Sequence, residues 1–404
     1  MFFLTLSLSL LVAHSVSSLE LAACSKYSFE QYVKEFDKDY STDEEYELRE
    51  AIFLQNLAFI LDHNSNRSSF QHYVDINHFT DKSDSELPLG YDKSSHPAWS
   101  AATSVDRRRT LAFDMKYVTK LPESVDWRTN GRVTTAVKNQ LHCGSCWAFA
   151  TTACMESHVA IQTGKLFTLS VQELVSCMPN PNQCGGTGGC AGATAELGYD
   201  FIAKHGMVEE WTFGYQSGHG EKVNCTIMES VRSKQHLRGE EATTKIKGSV
   251  ASVVGFSNLP SNHYDSLLAA VALVGPVAIS VSATGWGFYK GGIYDDSSSE
   301  HRDINHAVVL EGYGTDKETG QDYWLVRNSW GPMWGEDGYI RLKRTDPSTL
   351  KDPASDCKMD VTPTDGIACT KDDSGNDIVP KSVSVCGTSG ILFDTVIPIG
   401  AHLA

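Results

Sequence analysis

One short stretch constrains this chain more than any other: Gln140-Leu141-His142-Cys143-Gly144-Ser145-Cys146-Trp147-Ala148-Phe149. Helical periodicity begins at Cys146 and runs to about Thr163, with Ser145 at the N-cap and Gly164 just past the end. A thiol in that place faces unpaired backbone N–H groups and the positive end of the helix dipole, and both favour the thiolate. The thiolate is the nucleophilic form of cysteine. Cys143 and Cys146 also have the Cys-x-x-Cys spacing of a redox dithiol or of half a zinc site. No second Cys-x-x-Cys or histidine pair completes a zinc site, and the small βαβ setting of a redox motif is missing.

The rest of the chain divides around this stretch. Phe2 to Ala13 is an apolar run too short to span a bilayer, followed by small residues at Ser15-Val16-Ser17. We read residues 1–17 as a secretory signal peptide, although a basic n-region is missing. Leu21-Ala22-Ala23-Cys24 looks like a lipoprotein box but lies too far past the apolar run. No later stretch is long and apolar enough for a membrane span. Asn66 and Asn224 open glycosylation sequons, which matter only in a secretory lumen. The net charge of −16 argues against nucleic acid and suits work at acidic pH.

Residues 18–120 are highly charged. A helix is expected from Thr42 to His63, boxed by Ser41 and Glu44, with Leu48, Ile52, Phe53, Phe59 and Ile60 as its apolar positions. From Leu87 to about Thr110 the chain reads as an exposed linker. Arg107-Arg108-Arg109 at its end is either a processing site or a solvated charge run. From Leu121 the composition is globular. Ser170 and Glu173 box a second helix, and a third runs from Ala193 to His205, stopped by Gly206. Strands follow at Val277–Val281, His306–Leu310, Tyr323–Arg327 and Tyr339–Leu342. A helical half (about 130–245) thus precedes a β-rich half (about 246–404), predicting an α+β fold of two lobes with a cleft between them.

A thiolate needs a base. Of 14 histidines, His306 stands out because it opens a buried-looking strand, Asn305-His306-Ala307-Val308-Val309-Leu310. Asn328, in Trp324-Leu325-Val326-Arg327-Asn328-Ser329-Trp330-Gly331, offers an amide oxygen that orients an imidazole without neutralising the imidazolium. Taken singly, His306 is an ordinary packed histidine and Asn328 a turn residue. Together with Cys146 they form a nucleophile, a base and an orienting group.

In these motifs the chain resembles the papain family, specifically its cathepsin L-like branch. Leu121-Pro122-Glu123-Ser124-Val125-Asp126-Trp127-Arg128 resembles the family's mature N-terminus. Gln140, Cys146, His306, Asn328 and Trp330 follow in the family's order. Earlier, Glu45, Arg49, Phe53, Asn56, Ile60 and Asn64 fill every position of the E-x3-R-x3-F-x2-N-x3-I-x3-N prodomain pattern. A second pattern follows at Asn77, Phe79 and Asp81, with Asp75 where the family usually has glycine. Cys146 and His306 are spaced more widely than usual, which a longer stretch around 230–248 accounts for.

The resemblance implies a papain-like fold with a helical lobe, a β-barrel-like lobe and an N-terminal helical inhibitory prodomain. It also implies cysteine endopeptidase activity from a precursor activated at acidic pH. Gln140 and the Cys146 N–H would hold the oxyanion, and Trp330 would cover the His306–Asn328 hydrogen bond. Gly192, Ala193, Thr194, Ala195, Asn305 and Trp330 would meet substrate. Ala193 replaces the family's second glycine, and the small Thr194 and Ala195 leave room for a bulky apolar group in the pocket for the second residue before the cut. The implied disulfides are Cys143–Cys190 and Cys177–Cys225, the first closing a loop worth about 4 kcal/mol. Cys154, Cys184, Cys357, Cys369 and Cys386 remain, so one thiol is left over. The family's cysteine shortly before the histidine is absent, which leaves Cys386 to pair within 351–386. The segment 345–385 looks like an insertion of unassigned purpose.

No cofactor or metal is implied. The implied partners are protein or peptide substrates, the chain's own propeptide and cystatin-type inhibitors, with a monomeric enzyme in a lysosome, a vacuole or outside the cell. The main alternative is a catalytically dead relative serving as inhibitor or scaffold.

Overall fold

The computed structural model describes residues 27–68, 71–90, 120–228, 246–363 and 381–404, and the backbone alone of 109–110. The signal segment, Arg107, Arg108, most of 230–248 and Cys369 lie outside the described residues.

The N-terminal unit is a helical hairpin, α1 (Phe29–Glu35) and α2 (Asp43–Asn66). Thr42, not Ser41, caps α2 by accepting from the Glu45 N–H. Ser41 donates its own N–H to the Glu45 carboxylate at 3.0 Å, so the expected box is displaced by one residue. Asp43, Glu44 and Glu45 in the first turn complement the helix dipole. Phe53, Leu57 and Ile60 form the buried face, and Phe53 and Leu57 pack with Phe29 and Tyr32 of α1. Leu48 and Phe59, two of the helix's apolar positions, are 56% and 51% exposed. They lie on the flank of a helix whose buried stripe is narrow.

The polar positions of the same helix fasten the returning chain. Arg49 pairs with Glu86 at 2.7 Å, and the Asn56 amide donates to the carbonyls of Thr80 and Lys82. Asn64 exchanges two hydrogen bonds with Val74. Asp81 accepts from Tyr32, Lys38 and Tyr40 at 2.8–3.0 Å. The short strand Tyr73–Val74 then pairs with Tyr289–Gly291 and docks the hairpin on the main domain.

In the main domain α3 (Cys146–Thr163) is buried on all sides from Cys146 to Ala160 and ends at Gly164 in the left-handed conformation, φ 73°. Beside it lie α4 (Val171–Cys177) and α5 (Ala195–His205), whereas α6 (Tyr264–Leu273) belongs to a separate core. Ser170 caps α4 by accepting from the Glu173 N–H, whereas the buried Glu173 carboxylate reaches across to the Val208 N–H. α5 starts at Ala195, two residues later than expected, because Thr194 is extended.

The β-rich half is built on one nine-stranded sheet. In order, its strands are Arg109–Thr110, Gly255–Asn258, Asp394–Ile399, Val277–Val281, His306–Thr315, Asp322–Arg327, Tyr339–Lys343 and Ile293–Tyr294, with Val125–Asp126 also paired to His306–Thr315. The expected barrel-like lobe is therefore an open sheet: among the described residues its two ends do not pair with each other. Alternation along the central strand divides two cores. Ala307 and Val309 pack toward α3, and Val308 and Leu310 toward α6 and the tryptophans. The first residue of α3 and the first residue of this strand, Cys146 and His306, are thereby brought to one place.

The disulfides Cys143–Cys190, Cys177–Cys225 and Cys357–Cys386 are present, and Cys184 is also disulfide-bonded. Cys146 and Cys154 are outside these disulfides, and both are buried. Cys357–Cys386 closes a hairpin of Cys357–Asp360 and Val383–Cys386 at the base of the insertion.

Candidate active site

Cys146 sits at the first position of α3, and the Ser145 hydroxyl makes no cap bond. It lies instead 2.9 Å from the Tyr215 hydroxyl, so no side chain competes for the amides at the helix start. From the facing strand the Ala307 N–H donates to Cys146 Sγ at 3.3 Å, which puts residue 306 beside the sulfur. His306 is fully buried, and its Nε2 lies 2.8 Å from Asn328 Oδ1. Its other ring nitrogen, Nδ1, is buried with no hydrogen-bond partner among the described residues. Trp330 lies over the ring at 5.0 Å between centroids, and Trp286 stands perpendicular to it at 6.3 Å. Burial pushes the imidazole down to about 4, and the Asn328 bond opposes that shift.

Gln140 is clamped beside them. Its N–H donates to the Ser329 carbonyl at 2.8 Å, and its side-chain oxygen accepts from the Ser329 hydroxyl at 2.5 Å. Its Nε2 donates to two carbonyls at 2.9 Å, those of Cys143 and Pro88. Pro88 belongs to the segment between the N-terminal hairpin and the main domain. Trp330 Nε1 donates to the same Pro88 oxygen at 3.3 Å. The next residues continue across the sulfur. A methyl placed on Gly90 would come within 1.8 Å of Cys146 Sγ, and one on Gly192 within 2.1 Å of the Gly90 carbonyl oxygen. Residues 88–90, read from sequence as linker, therefore fill the cleft.

The structure thus brings Cys146, His306, Asn328, Gln140, Trp330 and Gly192 together around residues 88–90. Ala193 and Ala195 are buried in the α3 core beside Thr194. Asn305, next to His306, accepts from the Ala283 N–H at 2.9 Å. Asn66 and Asn224 are both exposed. Sequence reasoning missed Ser329, which locks Gln140, and Trp286, whose contact with His306 has no local signature. Beneath the site, the fully buried Glu156 accepts from Lys138 at 2.6 Å and from the Leu169 N–H at 2.8 Å, and buried Arg327 pairs with Glu311 at 3.3 Å. Thr135 links the two pairs, donating to the Glu156 carboxylate and accepting from Arg327 Nη2 at 3.3 Å, and so connects α3 to the sheet.

Residues 121–363 match the family model described as papain family cysteine protease. The chain belongs to the papain family. Residues 29–87 of this papain-family chain match the cathepsin propeptide inhibitor domain, so it is a cysteine protease carrying its own inhibitory prodomain. It is 37% identical over 298 residues to vignain of Phaseolus vulgaris, covering 72% of this chain and 73% of that protein. To pro-cathepsin H of Bos taurus it is 35% identical over 341 residues, covering 83% and 91%. Similar solved structures include a recombinant stem bromelain precursor (TM-score 0.65, 27% identity, 92% of this chain and 97% of that one). Another is a digestive procathepsin L 3 of Tenebrio molitor (TM-score 0.62, 27% identity, 95% and 100%).

Proposed function

We infer that the chain is the acid-activated precursor of an endopeptidase in which Cys146 is the nucleophile and His306 its acid and base. The observation that carries this reading is the Ala307 N–H at 3.3 Å from Cys146 Sγ, with His306 held at 2.8 Å by Asn328. The sulfur attacks a peptide carbonyl, and the developing oxyanion takes hydrogen bonds from Gln140 Nε2 and the Cys146 N–H. His306 protonates the leaving amine as the carbon–nitrogen bond breaks, leaving a thioester on Cys146. It then takes a proton from water, whose oxygen attacks the thioester, and returns that proton to the sulfur side as the acid product leaves.

Latency follows from the occupied cleft. Pro88 already holds the Gln140 donor, Gly90 covers the sulfur, and the burial that lowers the His306 pKa keeps its ring neutral at neutral pH. Removing the prosegment rehydrates the ring and frees the donor. We assign residues 1–17 to a signal peptide, 18–120 to the propeptide and the chain from Leu121 to the mature enzyme. The compartment is a lysosome, a vacuole or the extracellular space. Two exposed sequons fit that route, and among the described residues no helix is long and apolar enough to cross a membrane. The small Thr194 and Ala195 favour substrates with a bulky apolar group two residues before the cut.

Purified precursor brought to about pH 4–5 is the test. A mature form beginning near Leu121 that cleaves internal peptide bonds is expected, with no cleavage by Cys146→Ala. A precursor that works at full rate untrimmed would refute the latency, and an active Cys146→Ala would refute the nucleophile.

A further inference from the structure

A chain of polar contacts runs from the insertion hairpin to Trp286, whose ring meets that of His306. The hairpin first grips the backbone that delivers the histidine. The Met359 carbonyl accepts from the Arg302 N–H at 3.1 Å, and the buried Asp360 carboxylate accepts from the Ile304 N–H at 3.1 Å, two residues before His306. The Arg302 side chain, only 2% exposed, then turns inward. It forms a two-pronged pair with Asp296, Nε to Oδ2 and Nη2 to Oδ1, both 2.8 Å, and donates Nη1 to the Asp356 carbonyl next to Cys357.

Asp296 Oδ2 accepts a further hydrogen bond from the Ser389 N–H at 3.0 Å. Ser389 is buried with φ 57°, a conformation uncommon for a residue other than glycine, asparagine or aspartate and kept where surrounding contacts impose it. That conformation presents its hydroxyl to Trp286 Nε1 at 3.2 Å. Trp286 is fully buried, stacks on Trp334 and meets the His306 ring edge at 90°.

We propose that Arg302, anchored by the Cys357–Cys386 hairpin, is a positioning residue that sets the His306 ring through Asp296, Ser389 and Trp286. In this chain the cysteine that would tie the segment before the histidine is missing, and the ionic clamp on the hairpin takes that place. The insertion is then a part of the catalytic scaffold. A planar guanidinium is suited to this, because both prongs must be met for Asp296 to keep its angle toward Ser389. The proposal rests on reading His306 as the base.

The experiment uses acid-matured enzyme carrying Arg302→Lys or Ser389→Ala, with active sites titrated by a thiol-reactive epoxide so that kcat is counted per competent Cys146. Both variants are expected to lose about 10- to 100-fold in kcat, with KM within about twofold of the parent. Ser389→Gly, which takes the φ of 57° without strain but lacks the hydroxyl, should show the same loss, so that the loss is assigned to the hydroxyl and not to the backbone. A kcat per titrated site equal to the parent's, with fewer sites or a lower Tm, would make the clamp merely structural and overturn the proposal. If Arg302→Lys fails to fold, Ser389→Ala decides alone. A His306→Ala enzyme that keeps the parental rate would instead overturn the reading of the base.

Discussion

Gly90→Ala should turn the precursor from a closed enzyme into a leaking one. The added methyl group would come 1.8 Å from Cys146 Sγ, 3.3 Å from Cys146 Cβ and 3.4 Å from its N–H nitrogen. Only the sulfur clashes, and it cannot retreat: it opens a helix buried on all sides and accepts from the Ala307 N–H. The prosegment must lift by at least about 1.2 Å to reach even a 3.0 Å approach. That lift strains the Pro88 carbonyl away from Gln140 and Trp330. Forcing one methylene into packed space costs roughly 1–3 kcal/mol. The fraction of molecules with an open cleft then rises about 5- to 150-fold, at tenfold per 1.4 kcal/mol. The assay is the rate of Cys146 alkylation by an epoxide in intact precursor at pH 7, read by mass spectrometry before any trimming. An unchanged rate in Gly90→Ala would show that residues 88–90 do not cover the sulfur.

Other consequences are equally concrete. His72 is packed among His63, Arg67, Tyr289, Tyr294 and Asp295, and burial first, then repulsion from His63, pushes it down to about 4. Its neutral form is the one that docks, so docking is fully supported above about pH 6.5 and weakens by about 1.4 kcal/mol per unit as pH falls toward 4. His72→Gln should therefore keep the precursor latent to lower pH, measured as the pH at half-maximal processing; an unmoved midpoint contradicts this. Gln140→Ala should lower kcat of the mature enzyme by about 10²–10³ with little change in peptide affinity. Lys138→Met leaves the Glu156 carboxylate buried without its ammonium partner and should cost about 3–5 kcal/mol in urea unfolding.

Much of the site was legible because its signals are local. Ser145 and Gly164 bracket a helix whose first residue is the thiol, and His306 begins a run of five apolar-compatible strand residues. The prodomain helix was legible from six spaced residues, but its face was not. Leu48 and Phe59 share the apolar character of Phe53 and Ile60, and only the position of α1 decides which of them is covered. The cap slipped from Ser41 to Thr42 because two hydroxyls compete within one turn. The open sheet was hidden for another reason: strand closure depends on pairing between segments far apart in the chain. Trp286, Ser389 and Arg302 were invisible for the same cause, since the contact of Trp286 with Ser389 joins residues 103 apart and no motif marks either end.

The pH dependence of Cys146 alkylation in the mature enzyme, parent against His306→Ala, tests the thiolate–imidazole pairing most directly. With the ring beside the sulfur, the parent keeps reacting down to about pH 4–5, whereas His306→Ala slows about tenfold per unit below the ordinary thiol pKa of about 8.5. Identical profiles for the two enzymes would contradict the account.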